Sequence, residues 1–200
     1  QIAIPYAGAA LKPFTRYEAT VEITDDAGET AKASLTFETG RLDTPWQGAW
    51  ISDPDYHFTE KKVSPVPMTF RKTFPADKAV ASARLYATAM GIYELNLNGK
   101  KVGNQYFAPG FTSYKTNLQY QTYDITDLLT ENNTLTAVVG GGWAVGSFVF
   151  TRQNRISADR QALLLEIQIT YADGSTQFVG TDNSWLVTEE GPYRASDFYD

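Results

Sequence analysis

Short runs in which every second side chain is apolar recur along the chain, and no stretch of ten or more residues repeats with helical periodicity. Successive side chains of a strand face opposite sides, so this pattern turns one face of each run toward a core and leaves no long amphipathic helix to cover it. The sequence therefore predicts an all-β, antiparallel sandwich. Strands are expected at residues 17–23, 31–37, 68–74, 83–89, 93–97, 134–139, 162–171 and 176–179. In residues 162–171, Leu163, Leu165, Ile167, Ile169 and Tyr171 share an apolar face, while Glu166, Gln168 and Thr170 predict a solvated opposite face. The one helical feature expected is a single turn at Thr126-Asp127-Leu128-Leu129, capped by Thr126, with Asp124 bonding the backbone that follows it.

Asn98-Gly99 and Asp173-Gly174 stand between strand runs as two-residue hairpin turns, because Asn, Asp and Gly tolerate positive φ. The alternation breaks between residues 40 and 50, at Gly40, Pro45 and Gly48, which divides the chain into 1–40, a 41–50 linker and 51–200. Residues 53–67 form a second loop, rich in Pro and Lys.

With 200 residues, 42% hydrophobic and 14% aromatic, the chain can bury one sandwich of ordinary size plus a smaller piece. A formal charge of -6 opposes a nucleic-acid partner, whose phosphates are bound by clustered Lys and Arg, and the pair Lys61-Lys62 is too small to act as such a patch. The absence of cysteine removes disulfides, thiolate metal sites and Cys nucleophiles. No apolar run approaches the ~20 residues that cross a bilayer as a helix, and the first residues lack a signal-peptide layout. A soluble chain with no membrane partner is expected, in the cytoplasm or secreted.

Catalytic chemistry is hard to place. His57 is the only histidine and lies in a polar loop without a serine nucleophile motif or a second metal ligand at useful spacing, which reads as a surface residue. The acidic pairs Asp25-Asp26, Glu189-Glu190 and Asp197 with Asp200 fall in turns or near the end and read as solvated charge. No catalytic residue and no metal ligand is assigned. Gly140-Gly141-Gly142-Trp143 is the main candidate: glycines let backbone approach a ligand and Trp143 offers a face to a sugar ring, against a structural reading in which the loop is a tight strand end and Trp143 is core. Asn104, Tyr106, Tyr114, Asn117 and Gln119 (with Gln105) supply amides and phenols of the kind sugar sites use, and loop polarity accounts for them equally well. Trp46, Trp50 and Trp185 read as packing residues.

Leu11-Lys12-Pro13-Phe14-Thr15-Arg16-Tyr17 has the spacing of a tyrosine corner, and with the hairpin through Asp25-Asp26-Ala27-Gly28 it resembles the last part of a fibronectin type III-like domain. Such a domain needs about seven strands and about 100 residues, so the resemblance implies a partial domain whose apolar face is covered by the second domain or a neighbouring molecule. The run from Ala83 through Asn98-Gly99 to Gly103, and Tyr123-Asp124-Ile125-Thr126-Asp127-Leu128-Leu129, resemble jelly-roll, galactose-binding-like sandwiches that accompany glycoside hydrolases, β-galactosidase-type enzymes included. Ala108-Pro109-Gly110-Phe111-Thr112-Ser113-Tyr114, Gln119-Tyr120-Gln121-Thr122-Tyr123-Asp124 and Gly140-Gly141-Gly142-Trp143 narrow this: together they resemble the N-terminal sandwich of bacterial α-L-rhamnosidases. Phe37-Glu38-Thr39-Gly40, Trp50-Ile51 and the closing Ser196-Asp197-Phe198-Tyr199-Asp200 agree.

That resemblance implies inverting hydrolysis of terminal α-L-rhamnosides by two carboxylates of a downstream α/α-barrel, the partner domain of the same parent chain. It implies no catalytic residue in residues 1–200 and no required cofactor. An Asp commonly occupies the middle of the glycine loop in that pattern, where this chain has Gly141, which removes a hydroxyl acceptor or calcium ligand. Three readings follow: a non-catalytic accessory region of an α-L-rhamnosidase; a calcium-assisted carbohydrate-binding module for rhamnose or rhamnose-containing plant glycans; and the sugar-binding sandwich of a β-galactosidase-type glycosidase.

Overall fold

A computed structural model of the protein describes residues 5–56, 65–147, 150, 153–195 and 198–199. The chain divides into two compact units, Gln1–Trp46 and Gln47–Asp200.

In the first unit β1 (Arg16–Thr24) and β2 (Thr30–Glu38) form an antiparallel hairpin. Their register pairs Tyr17 with Phe37, Ala19 with Leu35, Val21 with Ala33 and Ile23 with Ala31, gathering the apolar side chains on one face. The Tyr17 and Phe37 rings stack at 5.5 Å, while Val21, Ile23 and Leu35 are exposed. The tyrosine corner closes as its spacing predicts: the Lys12 N–H donates to the Tyr17 hydroxyl at 2.7 Å, and the Thr39 hydroxyl donates to the Lys12 carbonyl at 2.6 Å.

The second unit contains β3 (Met68–Pro75), β4 (Val80–Met90), β5 (Ile92–Leu97), β6 (Lys100–Lys101), β7 (Gln121–Asp124), β8 (Asn132–Gly140), α1 (Gly142–Val145), β9 (Ala162–Tyr171), β10 (Thr176–Gly180), β11 (Leu186–Thr188), β12 (Tyr193–Ala195) and β13 (Phe198–Tyr199). One sheet runs β10-β9-β4-β7 and the other β11-β3-β8-β5-β6, all neighbours antiparallel. The inward residues of both sheets form one core, led by Leu85, Leu163, Leu165, Ile167 and Ile169 from one and Met68, Phe70, Leu95, Leu97 and Leu135 from the other. Packing across the β4–β9 pair is complementary in size: Ala83 faces Ile169, Ala87 faces Leu165 and Ala89 faces Leu163. The architecture is the all-β antiparallel sandwich that the alternation predicts.

Five local expectations need correction. The outer face of β9 is solvated at only one end: Thr170 is exposed and Gln168 half-buried, but Leu164 is buried and Glu166 is only 1% exposed. Loops close over it. The Gln47 and Gly48 N–H groups both donate to Glu166 Oε1, the latter at 2.8 Å, and the Thr88 hydroxyl of neighbouring β4 donates to the Gln119 carbonyl at 2.7 Å. Asn98-Gly99 is a two-residue turn with φ of 54° and 80°, but at Asp173-Gly174 only Gly174 has positive φ, and Asp173 Oδ1 instead ties the loop by accepting the Ser175 N–H at 2.9 Å. The turn Thr126–Leu128 is 3-10 and Thr126 does not cap it; Asp124 Oδ1 accepts the Thr126 N–H and hydroxyl, freeing the Thr126 oxygen to accept the Ala83 N–H at 2.9 Å. Finally, α1 is a second helical element, and Trp50 is 43% exposed while Trp185 is buried.

The β4–β9 packing yields a test. Ile167→Ala leaves a void opposite Leu85 that neighbouring alanines cannot fill, so urea denaturation should show a loss of about 2–5 kcal/mol. A loss under about 1 kcal/mol would show that the core repacks there.

Candidate functional site

The candidate residues lie on the long connection from β6 to β7 and on the strand end that enters α1. β8 ends at Gly140, and the chain turns at once into α1. Both following glycines are required by neighbouring backbone. A Cβ on Gly141 would stand 2.7 Å from the Gly146 nitrogen, and one on Gly142, whose φ is +49°, would stand 2.9 Å from the Ile92 nitrogen. Gly141 is buried. The close approach this loop permits is thus to its own fold, and the first turn of α1 carries no acidic side chain.

Trp143 is half-buried beside a small second core of Tyr114, Ala144 and Val145. Two aromatic side chains that the sequence reading left aside flank it. The rings of Phe107 and Phe111 each stand 6.0 Å from Trp143 in edge-to-face geometry, and both side chains are more than 60% exposed. Phe111 also meets the Tyr114 ring edge-on at 6.3 Å. The turn carrying them is Phe107-Ala108-Pro109-Gly110, with a cis Ala108–Pro109 bond, and it is anchored where the Tyr93 N–H donates to the Ala108 carbonyl at 2.8 Å. The signal that could have found both phenylalanines is their placement on either side of Ala-Pro-Gly, since an aromatic next to a forced turn has little strand to pack into.

Of the polar candidates, Tyr114 is buried and its hydroxyl donates to the Gly110 carbonyl at 3.0 Å, pinning the turn; burial pushes its phenol pKa up, so it remains a neutral donor. Tyr106 is 75% exposed, lies under the Lys101 ammonium at 3.9 Å, and lines a cleft of about 200 Å³ with Ile92, Glu94, Phe107 and Val138. Asn104 and Asn117 have exposed side chains, and Asn117 contributes its carbonyl to the Thr112 hydroxyl at 2.6 Å. Gln119 is exposed with its Oε1 close against Gly110, and Gln105 lines the Tyr106 cleft. The structure therefore brings Trp143 and Tyr114 together with Phe107 and Phe111. It places Tyr106 in the adjoining cleft.

Carboxylates outside this area are mostly engaged in turns. Burial works to raise the Asp124 pKa, but the Thr126 hydroxyl and N–H and the Arg84 guanidinium at 2.8 Å outweigh it and hold it low. Hydrogen bonds from Ser175 hold Asp173 low, and those from Ser184 do the same for Asp182. Glu189 departs from the solvated reading: it is half-buried, and burial followed by the charge of Asp53 pushes its carboxyl up. Among the described residues no group of three or more His, Asp or Glu side chains could hold a metal ion. His57, Lys61, Lys62, Ser196, Asp197 and Asp200 lie outside the described residues.

The glycine geometry is testable by denaturation. Gly142→Ala combines positive φ with a backbone clash and should cost about 1–3 kcal/mol, whereas Asn104→Ala, at an exposed position, should stay within about 0.5 kcal/mol. Equal effects would mean the loop adjusts freely.

Two family models match the chain. Residues 78–200 match the α-L-rhamnosidase N-terminal domain, and residues 1–43 match the Rha78A-like N-terminal immunoglobulin domain. An α-L-rhamnosidase of Alteromonas sp. (strain LOR) is 36% identical over 163 residues, covering 78% of this chain and 17% of that protein. The crystal structure of the α-L-rhamnosidase from Aspergillus terreus superposes with a TM-score of 0.86 at 34% identity, covering 98% of this chain and 23% of that one. The Streptomyces avermitilis α-L-rhamnosidase, solved with L-rhamnose, gives a TM-score of 0.65 at 29% identity over 90% of this chain and 19% of that one. The chain thus spans less than a quarter of each of these relatives. With the matched model spanning most of the sandwich whose strands and turns are described above, this chain belongs to the family of α-L-rhamnosidase N-terminal domains.

Proposed function

We propose that the chain is a non-catalytic accessory region of an α-L-rhamnosidase, shaping and supporting a catalytic domain outside these residues that hydrolyses terminal α-L-rhamnosides. The observation that carries this reading is the pair of family matches in sequence order, on a chain that spans 17% to 23% of the relatives compared. Site chemistry agrees with it. Inverting glycoside hydrolysis uses one carboxylic acid and one carboxylate about 6.5–9.5 Å apart across the sugar, whereas Asp124, Asp173 and Asp182 are held ionised by turn hydrogen bonds. The match over residues 78–200 favours this reading over a β-galactosidase-type sandwich.

A second reading rests on a different observation, the exposed rings of Phe107 and Phe111 against Trp143, which offer apolar faces to a pyranose. In this reading the sandwich also binds a rhamnose-containing glycan.

The purified chain should release no aryl alcohol from an aryl α-L-rhamnoside above the uncatalysed rate; turnover that copurifies with it would overturn the accessory reading. For the second reading, calorimetry with L-rhamnose, with and without calcium, should give a millimolar or tighter Kd that Trp143→Ala weakens about tenfold, about 1.4 kcal/mol. No heat at millimolar sugar would reject it.

A further inference from the structure

Two buried side-chain oxygens in the described structure have no hydrogen-bond partner: Gln161 Oε1 and Glu189 Oε1. Both belong to the same end of the sandwich. Gln161 is 0% exposed and immediately precedes β9. By strand alternation it shares the inward face of Leu163 and Leu165, and its amide nitrogen donates to the Val66 carbonyl at 2.8 Å, just before β3. Glu189 follows β11, whose Thr188 pairs with Thr69, so the register sets Glu189 opposite Met68, on the face of the core-packed Val187. Ser52 ties these strand beginnings together. Its hydroxyl donates to the Gln161 carbonyl at 2.7 Å and lies 3.7 Å from Met68 Sδ.

Asp53 adds a second carboxylate beside Ser52. Its Oδ1 accepts the Asp55 N–H at 2.9 Å, which fixes the side chain in a turn. Its negative charge is felt at Glu189. The antiparallel Ile51–Leu163 bridge, carried on by two residues, sets Asp53 across from Gln161, so two carboxylates and an amide oxygen belong to one end of the sandwich, where two buried oxygens lack a donor. Buried acceptors lacking donors are costly, and an ion supplies what donors do not. Carboxylate and amide oxygens together are hard donors, suited to an ion that takes six to eight oxygens in flexible geometry and completes its shell with backbone carbonyls and water. Magnesium, by contrast, demands near-ideal octahedral geometry and keeps most of its own water.

We propose that Glu189, Asp53 and the side-chain oxygen of Gln161 form a calcium site at the end of the sandwich where β3 and β9 begin. The ion joins the residues entering the fold at Ser52-Asp53 to those leaving it after β11, holding the two sheets together at their open end. This role is independent of sugar binding at Trp143 and of the parent reaction.

The test is calcium titration of the full chain after chelator treatment, by calorimetry and by thermal unfolding. One ion per chain should bind, and saturating calcium should raise Tm by about 3 °C or more. Glu189→Gln and Asp53→Asn should each weaken calcium binding at least tenfold, and Gln161→Glu, which adds a carboxylate, should tighten it. Absence of heat and of a Tm shift at 10-fold millimolar calcium excess would overturn the proposal. So would unchanged affinity in Glu189→Gln and Asp53→Asn, which would put the ion elsewhere, or a magnesium response equal to that of calcium. Asp53→Asn, at a half-buried turn position, keeps the test decisive if Glu189→Gln fails to fold.

Discussion

Along β4 and β9, Ala83, Ala87 and Ala89 stand opposite Ile169, Leu165 and Leu163, and Leu85 stands opposite Ile167. The small side chains leave room for the branched ones to pack in one cluster with Phe70, Leu95 and Leu135 of the other sheet. The candidate binding groups sit at the ends of the strands that this core holds together. The end of β8 leads into the glycine turn and Trp143, while the entry of β9 and the end of β11 carry the buried oxygens of Gln161 and Glu189.

The loops follow the sheets. The long connection after β6 is held by the Tyr93 N–H on Ala108 and by the Tyr114 hydroxyl on Gly110, two bonds that take these polar groups out of reach of a ligand. What is left exposed there is aromatic: Phe107, Phe111 and Tyr106. Their placement suits stacking on a sugar face, whereas direct hydroxyl recognition would need the amides of Asn104, Asn117 or Gln119 to be brought toward the rings.

Legibility in the sequence varied with how local the governing interaction is. The eight strand runs were visible because alternation is a property of neighbouring residues, and Asn98-Gly99 was visible because positive φ is a property of single residues. The tyrosine corner was legible for the same reason, its partners Lys12 and Tyr17 lying five residues apart. Short edge strands such as β11 offered too few residues for a period to show. The rhamnosidase resemblance came from motif segments, and the family match covers the same ground.

By itself, then, the sequence determined the fold class, most strands of the two sheets and the tyrosine corner, since each depends on side-chain order along a few residues. Tertiary structure alone decided that the polar face of β9 is covered at Glu166, because residues 47 and 48 close over it from more than a hundred positions away. It also decided that Gly141 and Gly142 accommodate backbone, that Phe107 and Phe111 meet Trp143, and that Glu189 is drawn beside Asp53 out of bulk water. Burial and electrostatic neighbours arise where distant segments meet, and a local pattern of residues carries no record of those meetings.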